Sequence, residues 1–178
     1  MTTSASLTAK GRDTQTPQQK ITPCLWFNHN AEAAINHYIS IFKDGRIIKV
    51  SRYGEAGPGP AGGVMTALLE LAGQRYIALN GGPHFKFTPA ISLFVKCTSQ
   101  QEVDEFWEKL TAGGGQPSRC GWLQDKYGLS WQIVPTVLGE MLQDKDREKA
   151  KRVMDAMMKM DKIDIAALKA AYAGGARA

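Results

Sequence analysis

The chain has 178 residues, 43% hydrophobic and 22% charged, enough for one domain or two small modules sharing a core; collagen-like, wholly disordered and coiled-coil classes are excluded. The formal net charge of +5 resolves into +2 over residues 1–20, +3 over residues 143–178 and a neutral middle of 122 residues, so no phosphate-binding groove, and no nucleic acid partner, is expected. No apolar run approaches the ~20 residues that a membrane-spanning helix needs, and no membrane partner is expected.

Residues 1–20, rich in Thr, Ser, Gln and Lys, read as a disordered lead-in without the hydrophobic stretch that export requires. Ile21–Phe27 reads as a strand, and Asn28 or Asn30 could cap the helix that the apolar spacing of Ala31–Phe42 predicts. Strands follow at Arg46–Tyr53, Val64–Leu71 and Gln74–Asn80, the last two joined by a tight Ala72-Gly73 hairpin. Between the first two lies the glycine- and proline-rich loop 54–63, a mobile segment and a candidate pocket lid.

A second strand, Ala90–Cys97, precedes a helix capped by Thr98 or Ser99 and ending near Leu110. This unit repeats the first at an offset of 68 residues, where Leu25, Phe27, Ile35, Tyr38 and Phe42 fall on Leu93, Val95, Val103, Phe106 and Leu110. Cys120–Asp125 and Leu129–Pro135 form a closing hairpin, so the order is βαβββ, twice. The expected organisation is residues 1–20 as lead-in, 21–135 as a two-module domain (about 21–82 and 89–135) and 136–178 as a helical extension. Helices are predicted at Thr136–Leu142, Asp146–Met160 and Asp164–Tyr172, with a methionine-rich face that packs inside the chain or on another subunit.

Three cysteines, Cys24, Cys97 and Cys120, form no CxxC pair, and the odd count points to a reducing cytoplasm. Cys24 and Cys97 read as small buried hydrophobes. Gly57–Gly62 satisfies GxGxxG, yet a strand rather than a helix follows, so no dinucleotide cofactor is inferred. His29, His37 and His84 share no spacing that aims them at one ion. Trp26, Phe85, Phe87, Trp122 and Trp131 are the informative rings. On the concave side of a curved sheet they would line a ligand cup, with Asn80 and Gln132 as orienting hydrogen-bond groups and the Asn80-Gly81-Gly82-Pro83 turn at its rim; the alternative is plain core packing of the same rings. His37 is the candidate acid or base.

Cys24-Leu25-Trp26-Phe27 with Ala31-Glu32-Ala33-Ala34 and Tyr38 resembles the opening of the PhnB-like family, often labelled 3-demethylubiquinone-9 3-methyltransferase. Leu79–Pro83 with Phe85 and Phe87, Cys120–Leu123 with Asp125, Gly128–Pro135 and the tail from Arg152 to Asp164 extend the resemblance over about residues 21–172. It implies the α+β vicinal oxygen chelate (glyoxalase-like) architecture: paired βαβββ modules whose curled mixed sheets surround a pocket, in a homodimer. Metal enzymes of that superfamily take ligands from four strand positions, which fall near Thr22, Ala78 or Asn80, Ala90 and Gln132. Alanine cannot ligate, so no metal is expected. The methyltransferase label implies S-adenosylmethionine, for which the chain offers no strand–glycine turn–helix motif. The leading reading is a metal-independent site for a flat, mostly apolar small molecule, binding or catalytic. Its alternatives are a divalent-metal lyase or dioxygenase recruiting His84, the quinone methyltransferase, and an interaction subunit working through its helical tail.

Overall fold

Successive side chains of a strand point to opposite faces, and that alternation sorts the chain into a buried and an open side. The computed structural model describes residues 19–174; of the lead-in expected over residues 1–20, residues 1–18 lie outside the described residues. β1 (Cys24–Phe27), β2 (Arg46–Arg52), β3 (Val64–Leu71) and β4 (Gln74–Asn80) form a mixed sheet ordered β1-β4-β3-β2, with β1 parallel to β4. One face receives α1 (Ala31–Ile41), which buries Ala34, Ile35, Tyr38 and Ile41 against Leu25, Phe27, Ala67, Leu69 and Ala78. β5 (Ser92–Cys97), α2 (Gln100–Thr111), β6 (Gln116–Pro117), β7 (Trp122–Gln124) and β8 (Ser130–Pro135) repeat the plan, with sheet order β5-β8-β7-β6 and β5 parallel to β8. The doubled βαβββ order read from the sequence is the observed topology.

The two modules share one core. Phe42 stacks on Phe106 at 5.2 Å and on Trp131 at 5.6 Å. At the seam sits Asp125, a buried carboxylate in the β7–β8 turn. Its Oδ2 accepts from the Tyr38 hydroxyl (2.7 Å) and the Trp131 indole N–H (2.8 Å), and its Oδ1 from the N–H groups of Tyr127 (2.8 Å) and Leu129 (3.1 Å). Four donors offset the cost of removing the charge from water. Burial, and then the neighbouring carboxylate, pushes the Tyr38 phenol far above its ordinary value.

The helix starts differ from expectation in one place. Neither Asn28 nor Asn30 caps α1: Asn80 does so from the end of β4, its Oδ1 accepting from Ala31 N–H (2.9 Å) while its Nδ2 donates to the Val64 carbonyl (2.8 Å). The α2 cap is local, with Ser99 Oγ accepting from Glu102 N–H and Glu102 Oε2 from Thr98 N–H. Cys24 is exposed, correcting the buried placement expected for it, because Leu25 and Phe27 take the core face of β1; Cys97 is buried. Burial, then the Glu102 carboxylate, pushes the Cys97 thiol up to about 12.

α3 (Thr136–Leu142), α4 (Arg147–Met157) and α5 (Ile165–Ala173) enclose a second small core of Leu138, Met141, Val153, Ile163 and Leu168. They hold to the second module through Gln100, which bonds the Ile163 carbonyl (3.1 Å) and the Ile165 N–H (2.8 Å), and through the Lys162–Asp104 ion pair (2.6 Å). The backbone adds two bonds, Cys120 N–H to the Met160 carbonyl (2.8 Å) and Gly121 N–H to the Asp161 carbonyl (2.7 Å). Gly121 has φ +82°, and a Cβ there would come within 2.8 Å of the Ile133 carbonyl oxygen, so only glycine fits. Among the described residues no helix is long and apolar enough to cross a membrane.

Candidate functional site

With Leu25 and Phe27 under α1, Trp26 must face the open side of the first sheet. The register sets Trp26 beside Leu79, and Leu79 beside Thr66. The indole then folds over the turn that ends β4: its N–H donates to the Gly82 carbonyl (2.9 Å), and a Cβ on Gly81 would come within 2.2 Å of the ring. Glycine at position 81 lets the indole lie flat on the backbone. The Tyr53 hydroxyl donates to the Asn80 carbonyl on the other side of the turn.

Loop 54–63 closes back on Tyr53 through Gly62 N–H to the Tyr53 carbonyl and Tyr53 N–H to the Gly63 carbonyl, both 2.9 Å. The Arg52 guanidinium also donates to the Gly62 carbonyl (2.9 Å). Pro58 of this loop borders a cleft of about 390 Å³ whose lining includes Trp26, His29, Tyr53, Met65, Leu79 and His84, with Gly81-Gly82-Pro83 along its rim. His29 holds φ +60°, a left-handed backbone uncommon for any residue but glycine. The cleft combines apolar rings and aliphatic groups with two imidazoles, each offering a hydrogen-bond donor and an acceptor nitrogen.

The structure distributes the residues singled out from sequence over several places. Trp26 and Asn80 meet at this cleft, although the Asn80 amide is 7% exposed and spent on capping α1. Phe85 stands edge-on to Trp26 at 5.0 Å, and Phe87 packs edge-on to Phe27 at 5.2 Å. Trp122 and Gln132 are in register with each other and with Phe94 on the open face of the second sheet, where Gln132 Nε2 donates to Ser92 Oγ (2.8 Å). Trp131 is 1% exposed, turned to the helix side and stacked on Phe42. Neighbouring strand residues face opposite ways, so Trp131 cannot share a face with Gln132.

His37 lies on α1 against Tyr38 and Tyr127, with its Nε2 buried and without a hydrogen-bond partner. Desolvation, then the Lys126 charge, lowers its pKa, partly offset by Asp125. It does not line the Trp26 cleft. Sequence reasoning did not place His29, Tyr53, Met65, Leu79 and His84 at the cleft. Only Leu79 carried a usable signal, since a residue next to the inward Asn80 must point outward.

The sequence resemblance implies metal-ligand positions near Thr22, Ala78 or Asn80, Ala90 and Gln132. Ala78 and Ala90 bring no donor atom, both polar ends of the Asn80 amide are committed, and the Gln132 amide bonds Ser92. Among the described residues no three His, Cys, Asp or Glu side chains are grouped to hold a metal ion. The residues at these positions do not fit the divalent ion that the sequence resemblance implies.

The family model for 3-demethylubiquinone-9 3-methyltransferase matches residues 19–134. A structure described as a putative 3-demethylubiquinone-9 3-methyltransferase, PhnB protein, from Bacillus cereus is 39% identical, over 66% of this chain and 100% of that one, with a TM-score of 0.62. A Pseudomonas aeruginosa protein, 21% identical over 66% of this chain and 97% of that one, has a TM-score of 0.54 and shares the fold. The curated proteins contain no match. Helices α3–α5 lie beyond the family match, which is shorter than the stretch over which the sequence motifs resemble the family.

Proposed function

The chain belongs to the 3-demethylubiquinone-9 3-methyltransferase (PhnB-like) family, and from that premise we propose that it binds or transforms a flat, mostly apolar metabolite in the Trp26 cleft, without a metal ion. The observation that carries this reading is the fixed indole. Trp26 is seated on Gly81 and tied to Gly82, so it offers a pre-positioned ring at the edge of a cleft of about 390 Å³. A rigid ring loses little freedom when it stacks on a planar ligand. His29, Tyr53 and His84 supply the few polar groups that orient such a molecule, and the lack of a ligating atom at Ala78 and Ala90 supports a reaction or binding event independent of a divalent ion.

The methyl-transfer activity in the family's label receives no support from the fold among the described residues. Both sheets are mixed βαβββ sheets, and the glycine-rich loop 54–63 runs from β2 into β3 rather than from a strand into a helix.

The working unit in this proposal is a homodimer in the cytoplasm. The open faces carry Ile77, Leu79 and Leu68 on one sheet and Phe94 and Trp122 on the other, with Phe94 53% exposed. A second copy facing them would bury this apolar area and bring its Trp122 and Gln132 toward the cleft.

The test starts from a thermal-shift screen of planar carbonyl and hydroxyl compounds, followed by titration of each hit. Trp26→Ala and Gly81→Ala should each weaken binding by tenfold or more, while a chelator leaves the affinity unchanged. Equal affinity in wild type and both variants would refute the site; loss of binding on chelation would refute metal independence.

A further inference from the structure

A second cleft, of about 330 Å³, lies on the other side of the Trp26–Phe85 wall, where the two modules meet. Trp26, shared with the first cleft, forms one wall. The β1–α1 turn adds Asn28 and Asn30, the connector between modules adds Phe85, Lys86 and Phe87, and the β7–β8 turn adds Tyr127. The rings are braced from behind: Phe27 meets Phe87 at 5.2 Å and Tyr127 at 6.5 Å, both edge-on. The cleft therefore exists only when the two modules are docked, and it is distinct from the cleft assigned above.

Its chemistry is one-sided. Asn30 does not cap α1, because Asn80 has taken that role, and its amide is left facing solvent at the cleft. Lys86 makes no ion pair among the described residues, and no Asp or Glu lines the cleft. Asp125, at the base of the same turn, commits both oxygens to four donors and does not line the cleft. A second cation, Lys126, stands over the Tyr127 ring at 5.3 Å. Rings at the wall, amides at the mouth and a lysine without an ion-pair partner suit a planar molecule with one negative end.

We propose that this inter-module cleft is a separate binding site for small aromatic monocarboxylates, with the ring against Phe85, Phe87 and Tyr127 and the carboxylate on Lys86 and the Asn28 and Asn30 amides. Benzoate is the probe, followed by amide chemical shifts on the full chain, with benzamide as the uncharged isostere. Benzoate should give saturable shifts at Phe85, Phe87, Tyr127 and Gly128. Lys86→Gln should weaken it at least tenfold, while benzamide binds wild type more weakly than benzoate and does not respond to Lys86→Gln. His84→Ala, which alters only the first cleft, should leave benzoate binding unchanged. The proposal is overturned by the absence of saturable shifts, by equal benzoate affinity in Lys86→Gln, or by shifts centred on His29, Tyr53 and Leu79. The last result would place benzoate in the Trp26 cleft, so the two sites stand or fall on separate readouts.

Discussion

The first module builds a wide sheet from strands of seven and eight residues at β2 and β3, whereas the second makes do with two residues at β6 and three at β7. Both nonetheless place four strands in the same order around one helix. The difference lies in what supports each sheet. Ladder bonds along β2, β3 and β4 hold the first together. The second has its short β6–β7 end propped by the tail, whose backbone carbonyls at Met160 and Asp161 take the N–H groups of Cys120 and Gly121. Topology follows the pattern of buried residues, which the modules share; strand length follows local support, which they do not.

Asp125 is where the comparison can be broken most violently, because it joins the modules. Asp125→Ala strands the Tyr38 hydroxyl, the Trp131 indole N–H and two backbone donors, at an expected cost of about 3 kcal/mol or more. Urea unfolding followed by tryptophan fluorescence measures it. Wild type should unfold in a single transition because one core spans both modules; two separated transitions would show that the modules are energetically independent.

The caps sharpen the contrast between modules. Asn80→Ala removes a buried cap and leaves both Ala31 N–H and the Val64 carbonyl without their partner, for a loss of about 2 kcal/mol. Ser99→Ala removes an exposed, local cap and should cost about 1 kcal/mol or less. Equal losses in the two variants would mean that the strand-to-helix tie in the first module adds nothing beyond an ordinary cap.

The smallest effect is expected from pH. Buried His37 Nε2 has no acceptor, and Lys126 opposes its protonation while Asp125 favours it; Tyr38 and Tyr127 complete its surroundings. With the folded pKa below the ordinary ~6.5, the neutral form is the one folding favours. Its contribution is fully present above pH ~6.5 and is lost as the pH falls toward the lowered folded value. Between pH 7.5 and 5.5, wild type should lose more stability than His37→Gln, as read by melting temperature. An identical decline in both would remove His37 from the account.

Much of this architecture was legible in the sequence. Val64–Leu71, Gln74–Asn80 and Thr136–Leu142 have the boundaries that periodicity and turn residues indicated, since those signals are local. The capping of α1 was not legible, because Asn80 lies 49 residues from the N–H that it satisfies. Trp131 shows what residue type conceals. A tryptophan next to a glutamine in a strand looks like a ligand pair, yet alternation sends one into the core and the other to the open face. At the cleft, Trp26 and the turn after β4 were readable as strand and punctuation. His29, Tyr53 and His84 arrive from turns and loop edges, whose path no periodicity specifies.

The tail's grip on the loop before β7 also sets an order of assembly. A ribosome delivers Cys120 and Gly121 forty residues before Met160 and Asp161, the groups that receive their N–H bonds. The first sheet has all its strands once Asn80 has emerged and the second once Pro135 has, yet the carbonyls that steady the start of β7 follow only at Met160 and Asp161. During synthesis the first sheet thus has all its strands while the second still lacks its prop. Nascent chains stalled shortly after residue 135 should protect β3 and β4 from hydrogen exchange while leaving β7 open.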